Sequence, residues 1–379
     1  MLNQFTVDRF IKVGLSVVLV GLLAACASGS KTPKPADLGA NPGLLGIRTA
    51  WKSQIGKVDF PLTANTSANE VTLASSDGIV TSLDAQTGAS LWRIKLGSQI
   101  SAGVGSDGKY SAVVTRDNQL VTMVAEGELW HAKLSSQVFT APLVAGERVF
   151  VLGADRSVSA FDALNGKKLW TNQRPGEALV LREAGTLLAV NNTLVVGLSG
   201  RLVGLNSLTG SVLWDAPLAT PRGTNDIERL VDLVAGVSRN ANVVCARAFQ
   251  AAVGCVDTNQ GHVIWKQPAY GSAGLAGDDK LVYGVETDGK LVAWRLGSGE
   301  VAWTYERLRY RQLGTPLVLG RSVVVGDSTG LLHFLARADG SPLTRLSTDG
   351  SAIAATPVVV GATMVAVTRN GTVFGFQPE

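Results

Sequence analysis

A nine-residue pattern recurs along this chain and restricts its fold more than any other feature. In the clearest copy, residues 162–170, Asp162 ends one strand, Gly166 supplies the positive φ of a tight turn, and Trp170 lies in the next strand. Similar copies occupy residues 84–92, 206–214, 257–265 and 295–303, and shorter ones end at Trp130 and Thr344. The chain is therefore built from repeats.

The spacing of the tryptophans that end these repeats predicts the type of repeat. Six intervals separate Trp51 from Trp303 over 252 residues, a mean of 42, which is the length of a four-stranded propeller blade. A helical repeat would need apolar residues every 3.6 positions. The units instead contain short β-branched runs, such as residues 149–152 and 323–325, separated by turn residues. The sequence predicts an all-β fold, a β-propeller of four-stranded antiparallel blades.

The two ends of the repeat array predict how the ring closes. Trp51 has no strands of its own before it, and the last unit, residues 356–376, has three strands and lacks a fourth. We therefore expect residues 49–55 to pair beside residues 372–376 in a shared blade. Counting the outer strands then gives eight blades over residues 49–379, and closure leaves only short exposed edges.

Composition agrees with one large domain of many strands joined by tight turns. Hydrophobic residues make up 46% of the chain and charged residues 17%, and there are 43 glycines. The formal net charge of +4 is small and spread along the chain, which does not indicate a nucleic-acid partner. The basic cluster of Arg307, Arg309 and Arg311 lies between two blades, where a solvated loop is favoured over a phosphate site.

Residues 1–25 have the pattern of a lipoprotein signal peptide. Arg9 and Lys12 form a basic flank before an apolar run that is too short for an ordinary membrane span. The run ends in the tetrad Leu-Ala-Ala-Cys at residues 23–26, which resembles the bacterial lipobox and implies lipidation of Cys26. The alternative is an ordinary signal peptide followed by a coincidental cysteine.

The residues after Cys26 predict where the protein resides. Ala27 stands where an aspartate would signal retention in the inner membrane, so the periplasmic face of the outer membrane is favoured. Residues 26–48 are rich in Ser, Gly, Pro, Lys and Asn, and we expect them to form a flexible tether between lipid and propeller.

Few residues have the type and spacing typical of a catalytic, cofactor-binding or metal-binding site. Cys245 and Cys255 flank a predicted hairpin and have the same parity, so they are compatible either with a cross-strand disulfide or with two buried free thiols. The histidines, His131, His262 and His333, fall in different blades. The sequence contains no nucleophile motif, phosphate loop or metal-ligand cluster, and it predicts no catalytic residue, cofactor or metal.

Two units are longer than the others, by residues 176–183 and 222–232. Extra loop residues on a rigid scaffold indicate a functional use, and neutral variation in loop length is the alternative.

The repeat itself resembles that of pyrroloquinoline-quinone dehydrogenases, so a periplasmic quinoprotein oxidoreductase is the alternative function. Those enzymes carry long insertions, calcium ligands and usually a pair of adjacent cysteines, whereas this ring is compact. A carbohydrate-binding or lyase propeller would need a funnel lined by aromatic side chains, and most tryptophans here lie at repeat ends. With the lipobox, eight compact blades and two long loops, the chain from Cys26 onward resembles the BamB family, lipoprotein subunits of the machinery that assembles outer membrane β-barrel proteins.

This resemblance implies a non-catalytic scaffold, a monomer within a hetero-oligomeric complex, that binds a periplasmic POTRA domain of the barrel subunit BamA. In that family, the contact uses a Leu-x-Leu-Arg loop and a nearby acidic loop. The first is matched by Leu179, Leu181 and Arg182, and the segment resembling the second contains Glu228, Arg229 and Asp232. A further acidic residue expected two positions on is replaced by Val234.

Leu179 and Leu181 would point the same way in an extended stretch, so we expect them to form an exposed apolar anchor. The alternative is an inner strand that carries both leucines in the core.

Overall fold

The computed structural model describes residues 33–174 and 179–379. The predicted signal peptide and Cys26 lie outside the described residues, as do residues 176–178 of the first long segment. The chain divides into two units, Met1–Pro35 and Ala36–Glu379, and the second contains every strand named below. No helix among the described residues combines the length and the apolar character needed to cross a membrane.

In chain order the strands are β1 (Ile47–Gln54), β2 (Asn65–Ser67), β3 (Glu70–Ala74), β4 (Ile79–Asp84), β5 (Ser90–Lys95), β6 (Ile100–Ser106), β7 (Ser111–Thr115), β8 (Gln119–Val124), β9 (Gly127–Lys133), β10 (Leu143–Ala145), β11 (Arg148–Leu152), β12 (Ser157–Asp162), β13 (Lys168–Gln173), β14 (Leu187–Val190), β15 (Thr193–Leu198), β16 (Arg201–Asn206), β17 (Val212–Pro217), β18 (Ser238–Asn240), β19 (Val243–Ala248), β20 (Ala252–Asp257), β21 (His262–Pro268), β22 (Leu275–Gly277), β23 (Leu281–Val285), β24 (Leu291–Arg295), β25 (Val301–Tyr305), β26 (Leu317–Leu319), β27 (Ser322–Gly326), β28 (Leu331–Ala336), β29 (Pro342–Ser347), β30 (Val358–Val360), β31 (Thr363–Val367) and β32 (Thr372–Pro378).

These strands form eight four-stranded antiparallel sheets, which confirms the predicted eight-bladed propeller. Blades 1 to 7 each use four consecutive strands, beginning with β2–β5 and ending with β26–β29. Blade 8 combines β30, β31 and β32 with β1, as the ends of the repeat array predicted. In that blade Trp51 pairs with Gly375 and Gln54 with Thr372.

The core lies between neighbouring blades, at their second and third strands. Strands such as β7 and β27 are buried at every position, because β-branched and small residues fill both faces of a sheet that is covered on both sides. The fourth strands alternate between exposed and half-buried residues, as in β5 and β13. One side of each outer strand therefore faces solvent and the other faces the next blade.

The repeated tryptophan and glycine join one blade to the next. Gly166 has φ 73°, and a Cβ on it would lie 2.7 Å from the Trp130 ring, so only glycine lets the turn rest on the indole. The same contact joins Trp51 to Gly88, Trp130 to Gly166, Trp170 to Gly210, Trp214 to Gly261, Trp265 to Gly299 and Trp303 to Gly340.

At five of these contacts the indole N–H also donates a hydrogen bond to a backbone carbonyl of the same turn. The pairs are Trp51 with Ala85 (3.0 Å), Trp130 with Ala163 (2.8 Å), Trp170 with Ser207 (3.1 Å), Trp265 with Leu296 (2.6 Å) and Trp303 with Arg337 (2.9 Å). The repeat is thus a device that docks each outer strand on the following blade.

Residues 36–46, called the strap below, lie on the outside of blade 7, which shortens the flexible tether predicted for residues 26–48. The Ala36 N–H donates to the Arg309 carbonyl (3.0 Å), and the Leu44 N–H donates to the Leu343 carbonyl (2.8 Å). The Asn41 side chain bonds both the N–H and the carbonyl of Arg345, at 2.9 and 3.0 Å. The prediction of a flexible tether is wrong for the strap. Composition does not reveal that Leu44 and Asn41 bond the backbone groups at the exposed edge of β29.

Candidate functional site

The two long segments meet at one face of the ring. Each connects the fourth strand of one blade to the first strand of the next, and their described parts are residues 179–186 and 222–235, called the loop pair below. Gly185 and Val234 form an antiparallel bridge, and the Ala235 N–H donates to the Ala184 carbonyl (2.7 Å). Backbone hydrogen bonds therefore fix the base of the loop pair.

Asp232 holds the two loops together. Its carboxylate accepts a hydrogen bond from the Leu181 N–H (3.0 Å) and lies 3.7 Å from the Arg156 guanidinium. Arg156 is only 6% exposed and also donates to the Leu179 carbonyl (3.2 Å). A buried charge needs such partners, so Asp232 shapes the site from below and is not a carboxylate of its rim.

The structure separates the two leucines that the sequence predicts as a pair. Leu179 is 39% exposed, whereas Leu181 is half-buried in a small cavity shared with Asp232 and Leu233. The expectation of two exposed leucines is wrong because the backbone turns the Leu181 N–H toward Asp232. The inner-strand alternative also fails, since the first strand of this blade begins at Leu187.

Arg182 is exposed and its guanidinium lies 5.6 Å from the centre of the Phe139 ring. Stacking on an aromatic face leaves the N–H groups of an arginine free to bind a carboxylate.

The second loop presents an apolar side chain that we did not predict as a site residue. Ile227 is 74% exposed at the tip of the loop. Beside it, Glu228 accepts a hydrogen bond from the Thr224 N–H (2.9 Å), and the Glu228 N–H donates to the Asn225 side chain (2.9 Å). This reciprocal arrangement resembles a capping box and fixes the loop tip. An isolated isoleucine within a polar loop is the sequence signal that could have identified it.

The other residues of this loop that the family resemblance marks are Glu228, Arg229 and the position of Val234. The Thr224 N–H, together with Asn225, holds the pKa of the Glu228 carboxyl below its usual value. Arg229 is exposed. Val234, the position where a further acid was expected, is 3% exposed within the bridge to Gly185, and a carboxylate there would be buried.

Cys245 and Cys255 are direct partners on β19 and β20, with Cα atoms 3.9 Å apart and both side chains buried, and the structure joins their sulfur atoms. Alkylation of the unfolded chain with and without reductant measures this bond directly.

The arginine cluster divides: Arg307 is exposed, as a solvated loop predicts, whereas Arg309 and Arg311 form ion pairs. Arg309 pairs with Glu306 (2.9 Å). Arg311 pairs with the buried Asp327 (3.2 Å) and donates to the Ala36 carbonyl (2.7 Å), so it fixes the start of the strap.

The histidines occupy three separate environments. His131 contacts Glu128 (2.8 Å) on an outer strand, His262 is exposed on β21, and His333 is buried against Asp327 (3.0 Å). Within residues 33–174 and 179–379, no three side chains of the metal-binding types come together as a site.

A central channel of about 730 Å³ passes between the first strands, and its lining is mainly Thr, Ala, Gly, Pro and Leu, with Phe60 as its aromatic side chain. This lining does not match the aromatic funnel that a carbohydrate-acting propeller would need.

Comparison with known proteins gives consistent matches in sequence. The family model described as outer membrane protein assembly factor BamB matches residues 76–305. The protein of that name from Burkholderia pseudomallei is 36% identical over 363 residues, which cover 94% of this chain and 95% of the relative. Its counterpart from Bordetella pertussis is 36% identical over 365 residues, with the same coverage of 94% and 95%.

Solved structures share the propeller. The crystal structure of BamB from Moraxella catarrhalis superposes with a TM-score of 0.80 at 23% identity, covering 87% of this chain and 99% of that chain. The quinohemoprotein alcohol dehydrogenase from Comamonas testosteroni gives a TM-score of 0.68 at 15% identity, covering 89% and 78%. At these identities the structural likeness shows the fold alone. From the family model and the relatives at 36% identity, we conclude that the chain belongs to the BamB family of outer membrane protein assembly factors.

Proposed function

We propose that this protein is a non-catalytic accessory subunit in the assembly of outer membrane β-barrel proteins, and that its loop pair docks a periplasmic POTRA domain of BamA. The observation that carries the proposal is that each loop of the pair presents an exposed apolar side chain, Leu179 in the first and Ile227 in the second. Arg156 and Asp232 fix the backbone at Leu179 and Leu181, and Glu228 bonds the Thr224 N–H beside Ile227. The names of the relatives support the first part of the proposal, and the loop chemistry supports the second.

The loop pair combines two kinds of contact that favour protein binding. Exposed aliphatic side chains on a fixed backbone lose little conformational entropy when a partner covers them. Arg182 lies beside them on Phe139, with donors available to orient a partner carboxylate. A few such residues carry most of the free energy in a typical interface.

We further propose that lipid on Cys26 anchors the protein at the periplasmic face of the outer membrane. Cys26 and Ala36, where the strap begins on the ring, are ten positions apart. A chain of that length spans at most about 35 Å when fully extended. The anchor therefore keeps the ring close to the membrane that holds its proposed partner.

Binding to purified POTRA domains of BamA, measured by calorimetry, tests the docking proposal. We expect Leu179→Ala combined with Ile227→Ala to weaken binding at least about 30-fold, equal to about 2 kcal/mol, with an unchanged melting temperature. The matched control is Leu208→Ala, which removes a leucine that is 62% exposed in the turn between β16 and β17, at the opposite face of the ring. Equal binding by the double variant and the control would contradict the proposed site.

The quinoprotein alternative rests on the repeat, which resembles that of pyrroloquinoline-quinone dehydrogenases. Titration with pyrroloquinoline quinone and calcium ions separates the two functions. We expect no saturable change in quinone absorbance, and a stoichiometric change would favour the oxidoreductase.

A further inference from the structure

The junction between blades 1 and 2 departs from the repeat. In blade 2 the turn between the third and fourth strands contains two residues, Ala125 and Glu126, because Val124 pairs directly with Gly127. In blade 3 the equivalent turn, residues 163–166, contains four, since the Asp162 N–H donates to the Lys167 carbonyl. The shortened repeat that ends at Trp130 therefore lacks the glycine turn on which the preceding tryptophan would dock.

That preceding tryptophan is Trp92, at the outer edge of blade 1. Among the residues that the structure describes, its indole N–H has no hydrogen-bond partner. Trp92 lines an open groove of about 340 Å³, together with Thr72 of blade 1 and Val124 of blade 2. The groove occupies the place that a docked turn fills at the regular junctions.

We propose that this groove binds a glycine-bearing β-turn of a different polypeptide, in the place of the turn that blade 2 lacks. Six contacts within this chain provide the template, because in each a turn glycine rests on the face of a repeat tryptophan. In five of them the turn also accepts a hydrogen bond from the indole N–H, which Trp92 has available. A buried or half-buried indole donor usually finds such an acceptor.

The occupant is assigned to another protein and not to a second copy of this chain. The six template turns within the described residues are already docked on their own tryptophans, so a second copy offers none of them without opening its ring.

Charge narrows the chemistry of the occupant. Glu70 and Glu126 line the groove against one cation, Lys109, so a turn followed by a basic residue fits best. The turn of blade 3 has this form, since Lys167 follows Gly166.

The groove and the loop pair lie at opposite faces of the ring. Turns between first and second or third and fourth strands share one face, and the connections between blades share the other, because adjacent strands are antiparallel. The groove is lined by turns of the first kind, and the loop pair is of the second. Occupation of one site leaves the other open, and this proposal does not depend on the proposed function.

A cyclised hairpin peptide with the sequence of residues 161–169, labelled with a dye, tests the proposal by fluorescence anisotropy. We expect the folded protein to bind it with a Kd of ~1 mM or below. A matched peptide with Ala at the position of Gly166 should bind at least about tenfold more weakly, because a Cβ there lies 2.7 Å from the indole in the internal template. Equal binding of the two peptides overturns the proposal. So does the absence of binding by the first peptide at a concentration of about 5 mM, five times the expected upper limit of Kd.

Two protein variants complete the test. Trp92→Phe keeps a ring in the groove but removes the N–H, and we expect weaker peptide binding. The second variant replaces Ala125 and Glu126 by the sequence of residues 163–166 of blade 3, with Val124→Asp, so that the groove is filled from within. It should melt at a higher temperature and lose the peptide. Retained binding by this filled variant, or a dimer of the wild-type protein that the filled variant abolishes, would overturn the assignment to another polypeptide.

Discussion

Two junctions of the ring lack the regular tryptophan–glycine contact, and they lack different halves of it. Between blades 7 and 8, Thr344 replaces the tryptophan, and no turn joins the third and fourth strands of blade 8, because its fourth strand is β1. The strap covers this place, with Leu45 packed among the apolar residues of blades 7 and 8. Between blades 1 and 2 the tryptophan is present, the turn is shortened, and the groove is open.

The comparison shows that the tryptophan side chain and the glycine turn are separable parts of one contact between blades. Where the chain supplies a substitute from its own N-terminal segment, the outer edge is closed by backbone hydrogen bonds such as that from Leu44 to Leu343. Where it supplies none, an aromatic surface and a free donor remain. A missing internal contact is thus a place where a propeller can acquire an external one.

The largest expected effect is a difference in stability between two variants, one that removes a tryptophan docked on a turn, Trp170, and one that removes an undocked tryptophan, Trp92. Trp170 rests on Gly210, donates to Ser207 and lies 5.9 Å from the Phe150 ring centre. We expect Trp170→Ala to lower the free energy of unfolding by about 3–5 kcal/mol, the range for a large aromatic in a packed site. Trp92→Ala should cost about 1 kcal/mol, because its turn contact is already absent. Urea unfolding measures both, and equal losses would show that docking on the turn contributes little.

The next largest effect concerns acid and Asp327 of blade 7, which pairs with Arg311 at the start of the strap. Burial by itself raises the pKa of Asp327, but hydrogen bonds from His333, Leu331 and Thr329 lower it to about 2, and Arg311 also faces it. Because the folded pKa lies below the unfolded value of 3.8, its stabilisation is complete above about pH 5 and is lost as the pH falls toward 2. The difference in unfolding free energy between wild type and Asp327→Asn should therefore shrink by about 2 kcal/mol from pH 5 to pH 2.

The same titration should affect the strap, since Arg311 holds both Asp327 and the Ala36 carbonyl. A pH-independent difference between wild type and Asp327→Asn would contradict this assignment.

The smallest expected effect concerns the strap alone. Asn41→Ala removes two hydrogen bonds to the backbone of Arg345 and should cost about 1 kcal/mol. Hydrogen exchange provides the sharper measurement, because the Arg345 N–H loses its acceptor and should exchange faster, while amides in β27 keep their protection. Unchanged exchange at Arg345 would mean that the strap does not cover this edge in solution.

The architecture could be predicted from sequence because its determinants repeat. Trp170 and Gly210 stand at fixed places in their units, and each copy confirms the others. The strap could not be predicted, because Asn41 reaches the backbone of a residue 304 positions away and no pattern marks that contact.

The candidate site was predicted only in part for the same physical reason. Leu179 and Arg182 are exposed as expected. Leu181 is half-buried because its N–H bonds Asp232, a side chain from another loop, and the sequence gives no sign of that pairing. Ile227 was not predicted, because the charged residues beside it carry the family resemblance and one isoleucine in a loop does not show by itself that it is exposed.

The pairing of β1 with β32 also has a consequence for biosynthesis. Ile47 lies in the first strand of the ring to be made, and its partner Pro378 lies in the last. Contacts between such distant positions form slowly, and these form only after β32 has been synthesised. Until then β1 has no strand to pair with in blade 8, so the ring cannot close. Synthesis of β32 thus acts as a checkpoint for folding of the ring.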